Sequence, residues 1–330
     1  MKEYLDVLRQ ILRNNTWTGN RTAVRTISEP GLHLRLDMRN GFPALTTRKL
    51  PFKMAAAEIL GYMRCYTSAA DFRALGTTSW DKNANQTPGW LANPYRQGTD
   101  SLGPVYGEQL RHFPGYKLLD MAAPGFEGQL ADAKARGYNE LKVLEDLGEE
   151  GKTYRMLLFK SIDQVREAMD KLIQNPTDRR MVFHSWNPAQ NDEVALPSCP
   201  SWWQLHAKPH SRELSLMLYV RSSDVALGLS WNLAQSALLL HLIARLTGYT
   251  PSILSVTLGD AHIYESHMPM VEELLKRDPL PLPTLKISER VPEYAKTGKY
   301  EPQWLELVEP SDFELVGYQH HGPLTAPMVE

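Results

Sequence analysis

The chain has 330 residues, two of them cysteines, and a formal net charge of −2. With 42% hydrophobic and 22% charged residues, it has the composition of a soluble globular protein with a substantial core. This argues against a disulfide framework and a global basic field for nucleic acid. Its apolar runs also fall far short of the ~20 residues a membrane helix needs.

The opening Met1-Lys2-Glu3-Tyr4-Leu5 lacks the basic-then-apolar pattern of a signal peptide. Two cysteines without a C-x-x-C fit a reducing compartment. A cytoplasmic setting is expected.

Tyr4, Leu5, Leu8, Ile11 and Leu12 recur at helical spacing, and Asn14 and Asn15 end that helix. Arg21 and Arg25 lie in a short polar turn before Leu32 to Leu36, an alternating stretch read as a strand. Lys53 to Cys65 is alanine-rich and reads as a buried helix carrying one carboxylate, Glu58. A buried carboxylate is costly unless paired or used. Desolvation raises its pKa, which suits a general acid or base. Cys65, at that helix's end, is read as packing.

Gln86 to Gly103 is rich in Pro, Gly, Asn and Trp and reads as a surface insertion at about 86–101. Leu102-Gly103-Pro104-Val105-Tyr106-Gly107 then presents a tyrosine in a Gly/Pro-bounded segment. A second, partly helical insertion is expected at about 114–158, where Gly alternates with charged pieces.

Ile162 to Ile173 is another amphipathic helix, and Met181-Val182-Phe183 a strand. Trp202 to Ala207 and Leu214 to Val220 read as an antiparallel pair. A long apolar helix, Leu233 to Leu246, is closed by Gly248. His262 and Tyr264, two apart, share a face if the segment is a strand. Strands and helices mix without regular βαβ alternation, so the fold class is α+β, expected as a single domain over 1–330.

Cys199 lies between Pro197 and Pro200, two residues that stiffen its backbone. A stiff frame holds a nucleophile at a fixed angle, although free cysteines are also often simply buried. Arginines near a thiol favour its thiolate and bind phosphate bidentately. One pocket can therefore join this thiol to a phosphorylated substrate. There is no P-loop, no G-x-G-x-x-G and no His/Cys group with zinc spacing, and no metal is expected.

Pro43-Ala44-Leu45-Thr46-Thr47, Trp80-Asp81, Leu102 to Gly107, Asp178-Arg179-Arg180, Ala195-Leu196-Pro197-Ser198-Cys199, Arg221 to Val225, Gly228 to Asn232 and His262-Ile263-Tyr264 resemble, in order, the successive motifs of the thymidylate synthase family. The resemblance implies an α+β fold whose mixed or antiparallel sheet packs on helices and forms a homodimer interface. It implies that Cys199 adds to C6 of a pyrimidine nucleoside 5′-monophosphate and that C5 attacks the one-carbon unit of 5,10-methylenetetrahydrofolate.

By the same resemblance, Tyr106 helps remove the C5 proton and Glu58 organises water. Arg21, Arg221 and Ser222 hold the phosphate, and Arg179 and Arg180 reach the phosphate in the other subunit. His262 and Tyr264 hold the ribose, and Trp80, Leu196, Asp224 and Gly228 face the folate. Asn232 selects the base. Its carboxamide accepts from uracil N3–H and donates to O4, whereas cytosine presents the opposite pattern. A dUMP-like nucleotide and folate are thus the expected partners, without membrane or nucleic acid.

Four places depart from the usual pattern of that family. Pro200 stands where it has His, Ala23-Val24-Arg25-Thr26 where it has Gly-Thr-Gly-Thr, Asn83 where it has Trp, and Val220 where it has Gln. These departures resemble the nucleotide hydroxymethylase branch, in which water and not hydride completes the reaction. The expected activity is therefore conversion of dUMP to 5-hydroxymethyl-dUMP with release of tetrahydrofolate. Alternatives are thymidylate synthesis, a hydroxymethylase acting on dCMP or CMP, and an inactive nucleotide- or RNA-binding relative. A virus-encoded enzyme in a host cytoplasm fits the expected activity.

Overall fold

Alternation of leucines with polar residues builds the centre of the molecule. In the computed structural model, which describes residues 1–14, 16–148 and 151–329, Leu214, Leu216, Leu218 and Val220 point inward while Met217 and Tyr219 face out. Asn15, expected to help end the first helix, Glu149 and Glu150 within the expected insertion, and Glu330 lie outside the described residues.

Helix α1 (Lys2–Leu12) leads into β1 (Thr26–Asp37). Helices α2 (Phe52–Met63), α3 (Ala69–Leu75), α4 (Asp81–Asn85), α5 (Pro88–Leu91) and α6 (Gly107–Arg111) follow. Then come β2 (Phe113–Asp120), α7 (Phe126–Ala135), β3 (Asn139–Gly148), β4 (Gly151–Ile162), α8 (Gln164–Gln174) and β5 (Val182–His184). The second half holds β6 (Pro200–Lys208), β7 (Glu213–Asp224), α9 (Gly228–Thr247), β8 (Thr250–Tyr264), α10 (Met268–Lys276), β9 (Thr284–Ile287), α11 (Tyr294–Thr297) and β10 (Phe313–Val316). The α+β class is as expected.

The main sheet has five strands in the order β1-β8-β7-β6-β5. All neighbours are antiparallel except β7 and β8, which run parallel. A parallel pair needs a crossover, and α9 supplies it. Most of α9 is buried, including Leu233, Leu240 and Leu246, as befits a helix that is apolar nearly all round.

Strand β1 runs well beyond the alternating leucines because β8 pairs with it from Thr26↔Tyr264 to Asp37↔Ile253. Pro30 is tolerated because β1 is an edge strand. This register places the starts of β1 and β6 beside the ends of β8 and β7. Thr26 faces Tyr264, and Pro200 faces Val220. The chain therefore collects its polar motifs at one end of the sheet, where the carboxyl ends of parallel strands favour ligands.

Residues 113–162 form their own three-stranded sheet, β2-β4-β3, covered on one side by α7. A small cluster of Ala133, Met156 and Leu158 lies between helix and sheet. Among the described residues of this segment helix is confined to α7, and the strands and their turns make up the rest.

Candidate active site

Pro200 is the first residue of β6, and the β6–β7 register shifts between it and Trp202. A strand start or bulge is where proline fits a sheet. Cys199 thus sits at the lip of the sheet, half-buried. Its carbonyl accepts from the Arg221 amide at 2.9 Å. Its own N–H donates to the Tyr106 hydroxyl at 2.8 Å.

The Arg221 guanidinium closes the loop from the other side. It donates to the Ser198 carbonyl at 2.9 Å and the Pro197 carbonyl at 2.8 Å, and its Nη2 lies 3.7 Å from the thiol sulfur. Burial pushes the Cys199 thiol up, while the charge of Arg221, the Tyr106 hydrogen bond and the charge of Arg21 oppose it. Burial prevails, so the thiol stays above its ordinary value, and these neighbours offset part of that penalty.

Tyr106 directly precedes α6 and is buried by stacking. Its ring stacks on that of Tyr62 with centroids 4.6 Å apart, nearly parallel at 7°. Two glycines make this possible. A Cβ on Gly107 meets the Tyr62 carbonyl oxygen at 2.3 Å, so α6 approaches α2 more closely than any side chain allows. Gly103 adopts a left-handed backbone with φ +70°, and a Cβ there meets the Glu193 carbonyl oxygen at 2.1 Å.

Tyr62 links onward to Glu58, one turn earlier on α2. Its hydroxyl donates to Glu58 Oε1 at 2.8 Å. Gln235 Nε2 donates to Oε2 at 2.9 Å, and Trp231 Nε1 donates to the same oxygen. Burial raises the Glu58 pKa, and these donors pull the other way. Burial likewise holds the Tyr106 phenol well above its usual value, reinforced by the Cys199 charge.

Asp224, at the end of β7, accepts from the amides of Ala226 and Leu227 at 3.0 and 3.3 Å. It caps the turn into α9, where the helix dipole favours negative charge. His262 lies opposite it on β8, with Nδ1 3.0 Å from Asp260 Oδ1. The Tyr264 ring meets His262 edge-on at 5.0 Å. Burial raises the Tyr264 phenol, with the Asp224 charge adding and the Thr22 hydrogen bond and Arg21 charge opposing. Asn232 and Gly228, both on α9, and Ser222 and Leu196 are half-buried.

Two expectations fall elsewhere. Trp80 is only 3% exposed, packed edge-on against Tyr62 and Tyr106. Arg179 and Arg180 are exposed just before β5, at the opposite end of that strand from the Cys199 loop. Arg180 pairs with Asp178 at 2.9 Å.

Sequence reasoning missed several supporting residues. Gln109, Asn187 and Gln190 form a polar brace beside Leu196 and Ser198, with bonds of 2.9 Å from Gln109 to Gln190 and from Asn187 to Gln109. His267, fully buried, lies 3.4 Å from Asp224 Oδ1 and meets the Pro327 carbonyl at 2.7 Å. The i,i+4 pairs Glu58/Tyr62 and Trp231/Gln235 are the available signal for the carboxylate's partners.

Residues 2–330 match the family model described as thymidylate synthase. The chain is 55% identical over 328 residues to a thymidylate synthase of Bordetella parapertussis, covering 99% of each protein. It is 51% identical, with the same coverage, to one of Pseudomonas putida, and 34% identical over 333 residues to one of Haemophilus influenzae, again covering 99% of each.

These likenesses overturn the expected hydroxymethylation of dUMP. That expectation rested on four departures, and relatives at 49–55% identity over the whole chain are named thymidylate synthase. The structure supplies a physical reason for discounting two of them. Pro200 and Val220 are paired across β6 and β7, and both are buried. They form one buried apolar pair in the ladder. With Cys199 held between Tyr106 and Arg221, with Glu58 buried behind them, and with its whole length matched, the chain belongs to the thymidylate synthase family.

Proposed function

We propose that this protein methylates dUMP at C5 to give dTMP. It draws both the one-carbon unit and a hydride from 5,10-methylenetetrahydrofolate and releases dihydrofolate. The observation that carries this reading is the whole-chain likeness to proteins named thymidylate synthase.

Cys199 Sγ, as thiolate, forms a bond to C6 of the pyrimidine. Negative charge spreads onto C5 and O4, and C5 attacks the one-carbon unit. Tyr106 assists loss of the C5 proton through water, and the electron pair released expels the folate nitrogen to leave an exocyclic methylene at C5. Elimination of Cys199 and hydride transfer to the exocyclic methylene complete the methyl group. Arg221, 3.7 Å from the sulfur, favours the thiolate.

Glu58, held by three donors, keeps water ordered near O4. Arg21, Arg221 and Ser222 bind the phosphate, with Arg179 and Arg180 contributed from the second copy of the chain. His262 and Tyr264 hold the ribose. Asn232 makes no side-chain hydrogen bond among the described residues, whereas its neighbours Ser230, Trp231 and Gln235 do. Its carboxamide is therefore available to the base. Asp224, Gly228 and Leu196 border the folate, and Trp80 supports Tyr62 and Tyr106 from the core.

The homodimer is supported by the outer sheet face. Trp202, Met217 and Tyr219 are 45%, 47% and 42% exposed there, a clustering that marks an interaction surface. The two exposed arginines, remote from Cys199 within one chain, fit a role in a second copy's site. None of the described helices is long and apolar enough to cross a membrane.

The test is direct. Incubation with dUMP and methylenetetrahydrofolate yields dihydrofolate, followed by absorbance, in step with dTMP, identified by mass. A nucleotide product formed without dihydrofolate overturns the reading. Sedimentation at equilibrium checks the dimer.

A further inference from the structure

Away from the Cys199 loop, three metal-ligating side chains converge where α2 ends and α6 runs past it. Cys65 follows the last turn of α2. Glu108 lies on α6 and His112 four residues on, at its C-terminal end, on the same face. The sulfur, a carboxylate oxygen and a ring nitrogen all lie within 4.8 Å of one another. His112 Nδ1 is already 3.1 Å from Glu108 Oε2. Among the described residues this is the one such group of three.

We propose that Cys65, Glu108 and His112 form a binding site for a divalent zinc-class metal ion bridging α2 and α6. Zinc takes thiolate, imidazole and carboxylate at about 2.0–2.3 Å in tetrahedral sites. Ligand atoms this close need only contract by roughly an ångström around one ion. The mixed soft and borderline donor set selects zinc over magnesium or calcium, which prefer all-oxygen sites. Half-buried Cys65 and Glu108 give the site a protected floor, while exposed His112 leaves the fourth position to water.

The surroundings tolerate a cation. Arg111, whose charge acts on Cys65, is itself neutralised. It lies 2.8 Å from both Asp163 and Glu306. No zinc spacing is visible in the sequence because the thiol and the other two ligands come from elements far apart in the chain.

Titration with Zn²⁺ against a chromophoric chelator is expected to show one site per chain. Co²⁺ in its place is expected to give a thiolate charge-transfer band. Cys65→Ser abolishes the band, and His112→Ala weakens binding by more than about 10-fold. His112 is exposed, so its removal leaves the fold intact, which circular dichroism verifies. Cys199→Ser retains the band, because the nucleophile is not the ligand. A band that survives Cys65→Ser, one that vanishes with Cys199→Ser, or the absence of stoichiometric binding overturns the proposal.

Discussion

Pro200 and Val220 face each other across the β6–β7 ladder. Val220 is fully buried. Where the family that the chain resembles usually has His and Gln, this ladder pair is apolar. Val220→Gln alone buries a carboxamide opposite a proline that offers it no donor. It is expected to lower stability by about 1–3 kcal/mol in denaturant unfolding. Adding Pro200→His restores part of that loss. On the proposed reading the product is expected to be dTMP in the wild type and both variants, and a hydroxymethyl product from any of them contradicts it.

The electrostatic frame of Cys199 predicts a pH signature. Burial raises the thiol, and Arg221 is the foremost group that opposes this. Alkylation of Cys199 rises with pH as thiolate forms. Arg221→Met removes a stabilising charge and moves that rise to higher pH, whereas Arg221→Lys moves it less. Peptide mapping separates Cys199 from Cys65, whose thiol burial pushes up to about 12. An unchanged midpoint in Arg221→Met rules out this coupling. Cys199→Ser retains the fold and loses at least about 10³-fold in kcat.

Glu58 couples activity to stability through its burial. Its folded-state pKa is raised, so the folded protein holds this proton more tightly than the unfolded chain. That contribution is fully present below the unfolded carboxylate value and is lost as pH rises through the raised folded value. Glu58→Gln cannot titrate. The wild type's stability relative to this variant therefore declines with rising pH across that window, measured by urea unfolding at several pH values. A difference independent of pH refutes the raised value. Activity of Glu58→Gln falls by about 10²–10⁴-fold.

Much of this architecture is legible in the chain because its period is clean. Leu32, Leu34 and Leu36 alternate, as do Leu214, Leu216 and Leu218, and both runs are strands with those residues inward. The 113–162 sheet is less legible. Tyr116 and Leu118 alternate with Lys117, but both are exposed, so charged and apolar residues share each face and the pattern blurs. The donors to Glu58 are hidden for another reason. Trp231 and Gln235 arrive from α9 across a long stretch of sequence, and only the packing of α9 on α2 brings them in.

Close approach at Gly107 gives a prediction about geometry at a distance. A methyl group there overlaps the Tyr62 carbonyl oxygen at 2.3 Å and the Tyr62 Cα at 2.9 Å. Backbone cannot yield as a flexible side chain can. Gly107→Ala is expected to destabilise the protein by about 1–3 kcal/mol and to shift Tyr106 away from Cys199. The kcat then falls more than the substrate's KM changes. Wild-type kcat together with wild-type stability contradicts the close packing of α6 on α2.

Base choice is the sharpest test of the site, because it isolates one carboxamide. Asn232 is half-buried on the first turns of α9. An amide both donates and accepts, so it satisfies uracil N3–H and O4 together. In the variant Asn232→Asp, the ionised carboxylate only accepts and leaves O4 facing a negative charge. When protonated, the carboxyl donates from one oxygen alone. The cytosine amino group instead finds an acceptor in the carboxylate. A buried polar mismatch weakens the wrong substrate strongly. The ratio of kcat/KM for dUMP over dCMP is therefore expected to fall by at least about 10²-fold. A ratio that does not move removes Asn232 from the role of base selector.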